Sequence, residues 1–111
     1  MPQKLLSGGF MLNILVAEDD VNLNKIVCSA LVSAGYDAAS CRDGAEAIEK
    51  FGERHFDMII SDIMMPAADG FALLSAVREA GSDVPVIFMT ALDDMPSKQI
   101  GYRLGIDDYI V

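Results

Sequence analysis

The chain has 111 residues, 52% of them apolar, which is one domain's worth and enough to bury roughly two-thirds of its unfolded surface. Its formal charge of −9 and pI near 4.2 argue against direct nucleic-acid contact by this segment, since phosphate contacts require Lys and Arg, and suit a cation or a basic protein partner better. No apolar stretch approaches the roughly 20 residues of a membrane span, so the chain reads as soluble and cytoplasmic, without a membrane partner.

Residues 1–10 carry no signal-peptide pattern, because Ser7-Gly8-Gly9 interrupts before an apolar core of useful length. They read as an N-terminal extension, disordered or left by cloning, with Met11 as a natural start and residues 11–111 as the domain. Leu12 to Ala17, broken only by Asn13, is a strand buried on both faces, and it runs straight into Glu18-Asp19-Asp20. Leu23, Ile26, Val27, Ala30, Leu31 and Ala34 then recur at helical spacing, up to Gly35. Tyr36 to Cys41 is a second strand. Asp43 and Glu46 have capping-box spacing ahead of a short helix with Ala47, Ile48 and Phe51. Met58 to Ser61 is the third strand, and Asp62 ends it at a Pro-bent loop. Asp69 caps a helix whose Phe71, Leu74 and Val77 form one face before Gly81. Pro85 to Met89 is the fourth strand and runs into Thr90-Ala91. Met95 to Leu104 is a further helix, and Tyr109-Ile110-Val111 begins a fifth strand.

Repeated strand–helix units with right-handed crossovers give a parallel sheet covered by helices on both faces. Ligands bind such sheets beyond the carboxyl ends of the strands, where strand order reverses. Glu18, Asp19, Asp62 and Thr90 all fall at such ends, so two strands ending in acids and one ending in a hydroxyl point to a single polar site.

Four blocks carry a family likeness: Ile14-Leu15-Val16-Ala17-Glu18-Asp19, Asp62-Ile63-Met64-Met65-Pro66-Ala67-Ala68-Asp69-Gly70, Thr90-Ala91 and Gly105-Ile106-Asp107-Asp108-Tyr109-Ile110-Val111. In order and at suitable spacing, they resemble the receiver domain of bacterial two-component response regulators, over nearly everything from Met11 to Val111. The resemblance implies a flavodoxin-like α/β fold: a three-layer, doubly wound parallel sheet of strand order 2-1-3-4-5. Position by position, it implies Asp62 as phosphoacceptor, Glu18 and Asp19 as the acidic pair at a metal, Met64 as donor of a backbone carbonyl, Thr90 as switch hydroxyl and Tyr109 as switch aromatic.

The chemistry is consistent with those roles. A carboxylate can attack a phosphoryl group to give an aspartyl phosphate. Three carboxylates in a small site repel one another, by roughly 4 kcal/mol per pair at about 4 Å and an effective dielectric near 20. A divalent cation relieves that repulsion, and oxygen ligands that leave room for waters and phosphoryl oxygens favour magnesium. Asp19 is the candidate direct ligand, with Glu18 acting directly or through water. The expected function is a phosphorelay receiver domain, not an enzyme beyond self-catalysed phosphotransfer and autodephosphorylation. Its expected partner is a sensor histidine kinase.

Simpler readings compete at individual positions. Asp20 and Asp69 are helix caps, Asp93 and Asp94 favour a helix N-terminus, and Asp107-Asp108 is a solvated strand entry. His55 is a surface-loop residue without the helical setting of a relay histidine. The seven methionines read as core filler and loop. Cys28 and Cys41 lack metal-ligand spacing and read as free thiols in a reducing compartment; with one histidine in the chain, zinc is disfavoured.

The alternative function is a pseudo-receiver, an interaction module that keeps the fold without phosphorylation. A nucleotide- or flavin-binding module is disfavoured, because Ala17-Glu18-Asp19-Asp20 puts anions where a Gly-rich phosphate loop should be. A haloacid-type phosphatase is disfavoured because Met64 stands where a second acid is needed. The receiver pattern also calls for a lysine directly after the last apolar strand and then a final helix, whereas this sequence stops at Val111. A segment without that lysine is expected to bind metal yet accept or hold phosphate poorly. Without the helix, the face beside the first helix stays uncovered, so the chain is expected either to self-associate, for instance as a homodimer, or to be a cut-down piece of a longer folded protein. The Gly105 to Val111 stretch resembles regulators that carry a C-terminal winged-helix DNA-binding effector domain.

Overall fold

The computed structural model describes residues 12–89 and the backbone of residues 108–110. Its elements are β1 (Asn13–Ala17), α1 (Val21–Ser33), β2 (Asp37–Cys41), α2 (Gly44–Glu53), β3 (Met58–Asp62), α3 (Gly70–Glu79), β4 (Val86–Met89) and β5 (Asp108–Ile110). All strand pairings are parallel and the order is β2-β1-β3-β4-β5, as expected. The fifth strand starts one residue before the expected Tyr109. The expected helix over 95–104, the extension over 1–10 and Thr90 lie outside the described residues.

β1 is the central constraint, because every one of its side chains is buried. Alternation sends them to opposite faces. Leu15 and Ala17 join Ile59, Ile63, Phe88 and the apolar sides of α2 and α3, while Ile14 and Val16 join Ile60 and the inner side of α1. A strand whose side chains enter two cores is apolar where they enter, which is why Ile14 to Ala17 is an unbroken apolar run. Asn13 at its start is a buried polar residue, and Leu12, just before it, is half exposed. The sheet is therefore sandwiched, with α1 on one face and α2 and α3 on the other.

The inner side of α1 differs from the expected stripe. Val27 and Leu31 pack on the sheet, but Leu23 and Ile26 are 39% and 65% exposed, and Ala30 and Ala34 are exposed as well. The side chain that enters the interior is Asn24, 3% exposed. The helix is rotated so that this amide reaches main-chain carbonyls at the ends of β1 and β2. An apolar stripe wider than the sheet surface beneath it then leaves one margin outside.

Helix ends follow the sequence closely. Asp20, Asp43 and Asp69 each accept from the backbone N–H three residues on, at 3.0, 2.7 and 2.9 Å. Such caps contribute about 1 kcal/mol each. The expected capping box on α2 is displaced by one residue, since Glu46 accepts from the Arg42 N–H at 2.7 Å. Gly35 and Gly81 close α1 and α3 in the left-handed conformation, with φ of +97° and +83°.

The loop between β3 and α3 is compressed against its neighbours. The Gly70 N–H donates to the Ile63 carbonyl at 2.7 Å, and a Cβ at Gly70 would stand 2.5 Å from the Asp62 carbonyl oxygen and 3.1 Å from the Phe88 ring. A methyl at Gly44 would overlap the carbonyl of Ala68, so this glycine lets α2 abut the loop. Between them the Ala68 N–H donates to the Pro66 carbonyl at 2.8 Å, which places Ala67 at φ +69°, a conformation that costs an L-residue roughly 1–2 kcal/mol.

Two substitutions test this account of the loop. Ala67→Gly should raise the urea unfolding midpoint, by a net stabilisation of up to about 1 kcal/mol once the glycine's unfolded-state entropy is counted. Gly44→Ala should lower it by about 1–3 kcal/mol through overpacking. A neutral Gly44→Ala would show that α2 and the loop do not press on each other.

Candidate functional site

Parallel register brings the strand ends into line. Ala17 is level with Cys41 on β2 and Ser61 on β3, and Asp62 is level with Met89 on β4. The residues that leave β1 and end β3 therefore meet on one edge. The carboxylates of Glu18, Asp19 and Asp62 each offer an oxygen, and the three oxygens lie within 4.8 Å of one another. Among the described residues this is the group able to hold a metal ion.

The three acids sit in unlike surroundings. Glu18 is only 2% exposed, Asp62 is half-buried and Asp19 is exposed. Burial pushes the Glu18 carboxyl up to about 7, with the neighbouring Asp19 and Asp62 adding to the rise and the Asp20 N–H, 3.2 Å from Oε2, opposing it. Asp62 is also raised by burial, but a hydrogen bond from Glu18 and the main-chain N–H groups of Ile63 and Met64 hold it back. Both shifts describe one proton shared by a close pair. The hydrogen bond between the two raises Glu18 and lowers Asp62, so it favours the proton on Glu18.

The scaffold behind the acids is specific. The Glu18 N–H donates to the Cys41 carbonyl at 3.0 Å, and Asn24 Nδ2 donates to the Glu18 carbonyl at 3.0 Å. Ser61 points to the α2–α3 side, and its hydroxyl donates to the Asp62 carbonyl at 2.7 Å. Gly70 allows α3 to begin directly beside Asp62.

Other residues singled out from the sequence fall as follows. Asp20 and Asp69 are caps. The Met64 side chain is 73% exposed in the loop that leaves the site. Tyr109 lies on β5 opposite Phe88 in the backbone register. His55 is at the other end of β3 and pairs with Asp57 at 2.8 Å. Cys28 and Cys41 are both free thiols. Sequence reading missed Asn24, although its place in the series 24, 27, 28, 31 was a signal that an amide shares the packed side of α1. It also missed Gly44 and the strained Ala67, whose demands arise from contacts between remote segments.

Comparison with known proteins agrees with this architecture. Residues 14–111 match the family model described as response regulator receiver domain. A probable transcriptional regulator ycf27 of Porphyridium aerugineum is 41% identical over 98 residues, which are 88% of this chain and 40% of that protein. The transcriptional regulatory protein PcoR of Escherichia coli is 37% identical over 101 residues, 91% of this chain and 45% of PcoR. The chain thus spans less than half the length of these curated relatives. Among solved structures, chemotaxis protein CheY4 of Vibrio cholerae is similar with a TM-score of 0.86 at 32% identity, covering 91% of this chain and 86% of that one. Response regulator protein TrrA of Thermotoga maritima, solved in complex with Mg2+-BeF, has a TM-score of 0.81 at 30% identity, with the same coverage. The chain belongs to the response regulator receiver domain family.

Proposed function

We propose that this chain is a magnesium-dependent phosphoacceptor in two-component signalling, taking a phosphoryl group on Asp62 from the phosphohistidine of a sensor histidine kinase. The observation that carries this reading is the meeting of three carboxylates at one strand edge, with Asp62, the last residue of β3, half-buried among them. The donor set fits magnesium: hard oxygens, few enough to leave positions for water and phosphoryl oxygens. Asp19, Asp62 and the carbonyl of Met64 would hold the ion, with Glu18 directly or through water. When bound, the ion supplies charge neutralisation at the phosphoryl oxygens. TrrA, which is similar to this chain, was solved in complex with Mg2+-BeF, which supports carrying this assignment over.

In this reading an Asp62 carboxylate oxygen attacks phosphorus while the bond from phosphorus to the imidazole nitrogen breaks. The leaving nitrogen keeps the electron pair, so no proton must leave Asp62. Thr90 then donates its hydroxyl to the phosphoryl group and Tyr109 repositions, biasing a two-state surface that a downstream effector reads. The effector would be a C-terminal domain, DNA-binding by analogy with relatives named as transcriptional regulators. Among the described residues no helix is long and apolar enough to cross a membrane.

Magnesium titration by calorimetry should show saturable binding that Asp62→Asn and Asp19→Asn weaken strongly. Unchanged affinity in either variant would move the ion elsewhere.

A pH dependence follows from the raised Glu18. Between about 4.5 and 7 the folded state keeps a proton that the unfolded chain has lost, so stability falls as pH rises across this window, by on the order of 3 kcal/mol. Saturating magnesium should flatten the fall, and magnesium affinity should rise as pH passes through about 7. Unfolding midpoints at pH 5 and 8, with and without the ion, check both signs.

Acyl phosphate formed from acetyl phosphate should map, after borohydride trapping and peptide sequencing, to Asp62 alone. Label on Asp19, Asp69 or His55 would overturn the acceptor assignment.

A further inference from the structure

We infer that Asn24 is a positioning residue of the carboxylate site: its side-chain amide sets where Glu18 stands, and the exposed Ser40 hydroxyl sets the amide. The inference rests on the cation-site reading above. An asparagine on the inner side of a helix is an expensive choice unless every polar atom is matched, because an unpaired buried amide loses its hydration without replacement. Here the matching is complete and has one orientation. Nδ2 donates to the carbonyls of Glu18 and Cys41, both at 3.0 Å, while Oδ1 accepts from Ser40 Oγ at 2.7 Å and Cys28 Sγ at 3.4 Å. Turning the amide over would set its oxygen against two carbonyls and its NH2 against a hydroxyl and a thiol that can still accept, so the two carbonyl contacts select the rotamer.

The contacts converge on one backbone segment. The Cys41 carbonyl accepts from both Asn24 Nδ2 and the Glu18 N–H, and the Glu18 carbonyl accepts from the same Nδ2. The main chain on both sides of the Glu18 Cα is thereby tied to the end of β2. With its Cα held, the Glu18 carboxylate is directed at Asp19 and Asp62. A leucine at position 24 would suit the apolar neighbours Val27 and Leu31 better, yet it would leave two carbonyls without this donor and Glu18 tied on one side only. Groups that orient metal ligands in this way typically change metal affinity about 10–100-fold when removed.

The test is magnesium affinity by calorimetry on the 111-residue chain, for wild type, Asn24→Leu, Asn24→Asp and Ser40→Ala. Each is measured at a temperature where circular dichroism shows it folded, and apo unfolding midpoints are recorded separately. Asn24→Leu should weaken binding by about 10–100-fold. Asn24→Asp separates positioning from charge. It adds an anion near the site, so a purely electrostatic role predicts tighter binding, whereas loss of the two N–H donors predicts weaker binding. Ser40→Ala removes an exposed hydroxyl with little demand on folding, and it should weaken binding by about two- to fivefold, on the scale of one lost neutral hydrogen bond. Weakening in all three variants supports the inference. Wild-type affinity in folded Asn24→Leu or in Ser40→Ala, or tighter binding in Asn24→Asp, overturns it and leaves Asn24 a stabilising residue only. Absence of magnesium binding by wild type would overturn the site reading itself, and this inference with it.

Discussion

β1, buried on both faces, is the constraint on which the rest depends, because it helps to hold Glu18, Asp19 and Asp62 together against their mutual repulsion. Carboxylate oxygens within 4.8 Å of one another are an arrangement that an unconstrained chain would relieve by moving apart. Glu18 and Asp62 are kept together because each is attached to the end of a strand paired within the sheet. Glu18 follows directly from β1, the strand buried on both faces, and Asp62 is the last residue of β3, its hydrogen-bonded neighbour. Part of the repulsion is relieved by keeping a proton on Glu18 near neutral pH, and that burden makes the site receptive to a cation.

Backbone close approach completes the edge. α3 begins directly beside Asp62 only because Gly70 carries no side chain, and the loop between them turns tightly enough to force Ala67 to a positive φ. α2 presses on the same loop through Gly44. Strain held at a site in this way limits the positions open to the Asp62 carboxylate, so its geometry is set by the folded backbone. Asn24 does the corresponding work on the β1 side, where hydrogen bonds rather than close packing hold Glu18.

The two faces of the sheet are unequal. On the α2–α3 side a continuous cluster from Leu15 through Phe88 to Val77 is sealed, with Phe71 edge-on to Phe88 at 5.2 Å. On the α1 side Ile14, Val16 and Ile60 are covered, but the helix leaves Leu23 and Ile26 at the surface. The acidic site lies at the common edge of both layers, with the Asn24 contacts on the α1 side and the Ser61 contact on the other.

Sequence alone determined the strand–helix alternation, the sheet order once the family blocks were noticed, and the three acids at strand ends. Each is a local or periodic property. Apolar runs, caps such as Asp20, Asp43 and Asp69, and glycines after helices act through neighbours a few residues away. Tertiary structure decided which side of α1 is buried, because the rotation of that helix depends on what Asn24 finds across 17 residues at Cys41. It decided why Gly44 and Gly70 are glycines, since the atoms that exclude a side chain there belong to other segments. It also distinguished three chemically similar carboxyls, burying Glu18 and raising its carboxyl while leaving Asp62 half-buried and Asp19 exposed, since burial is a property of the packed molecule and not of the residue type.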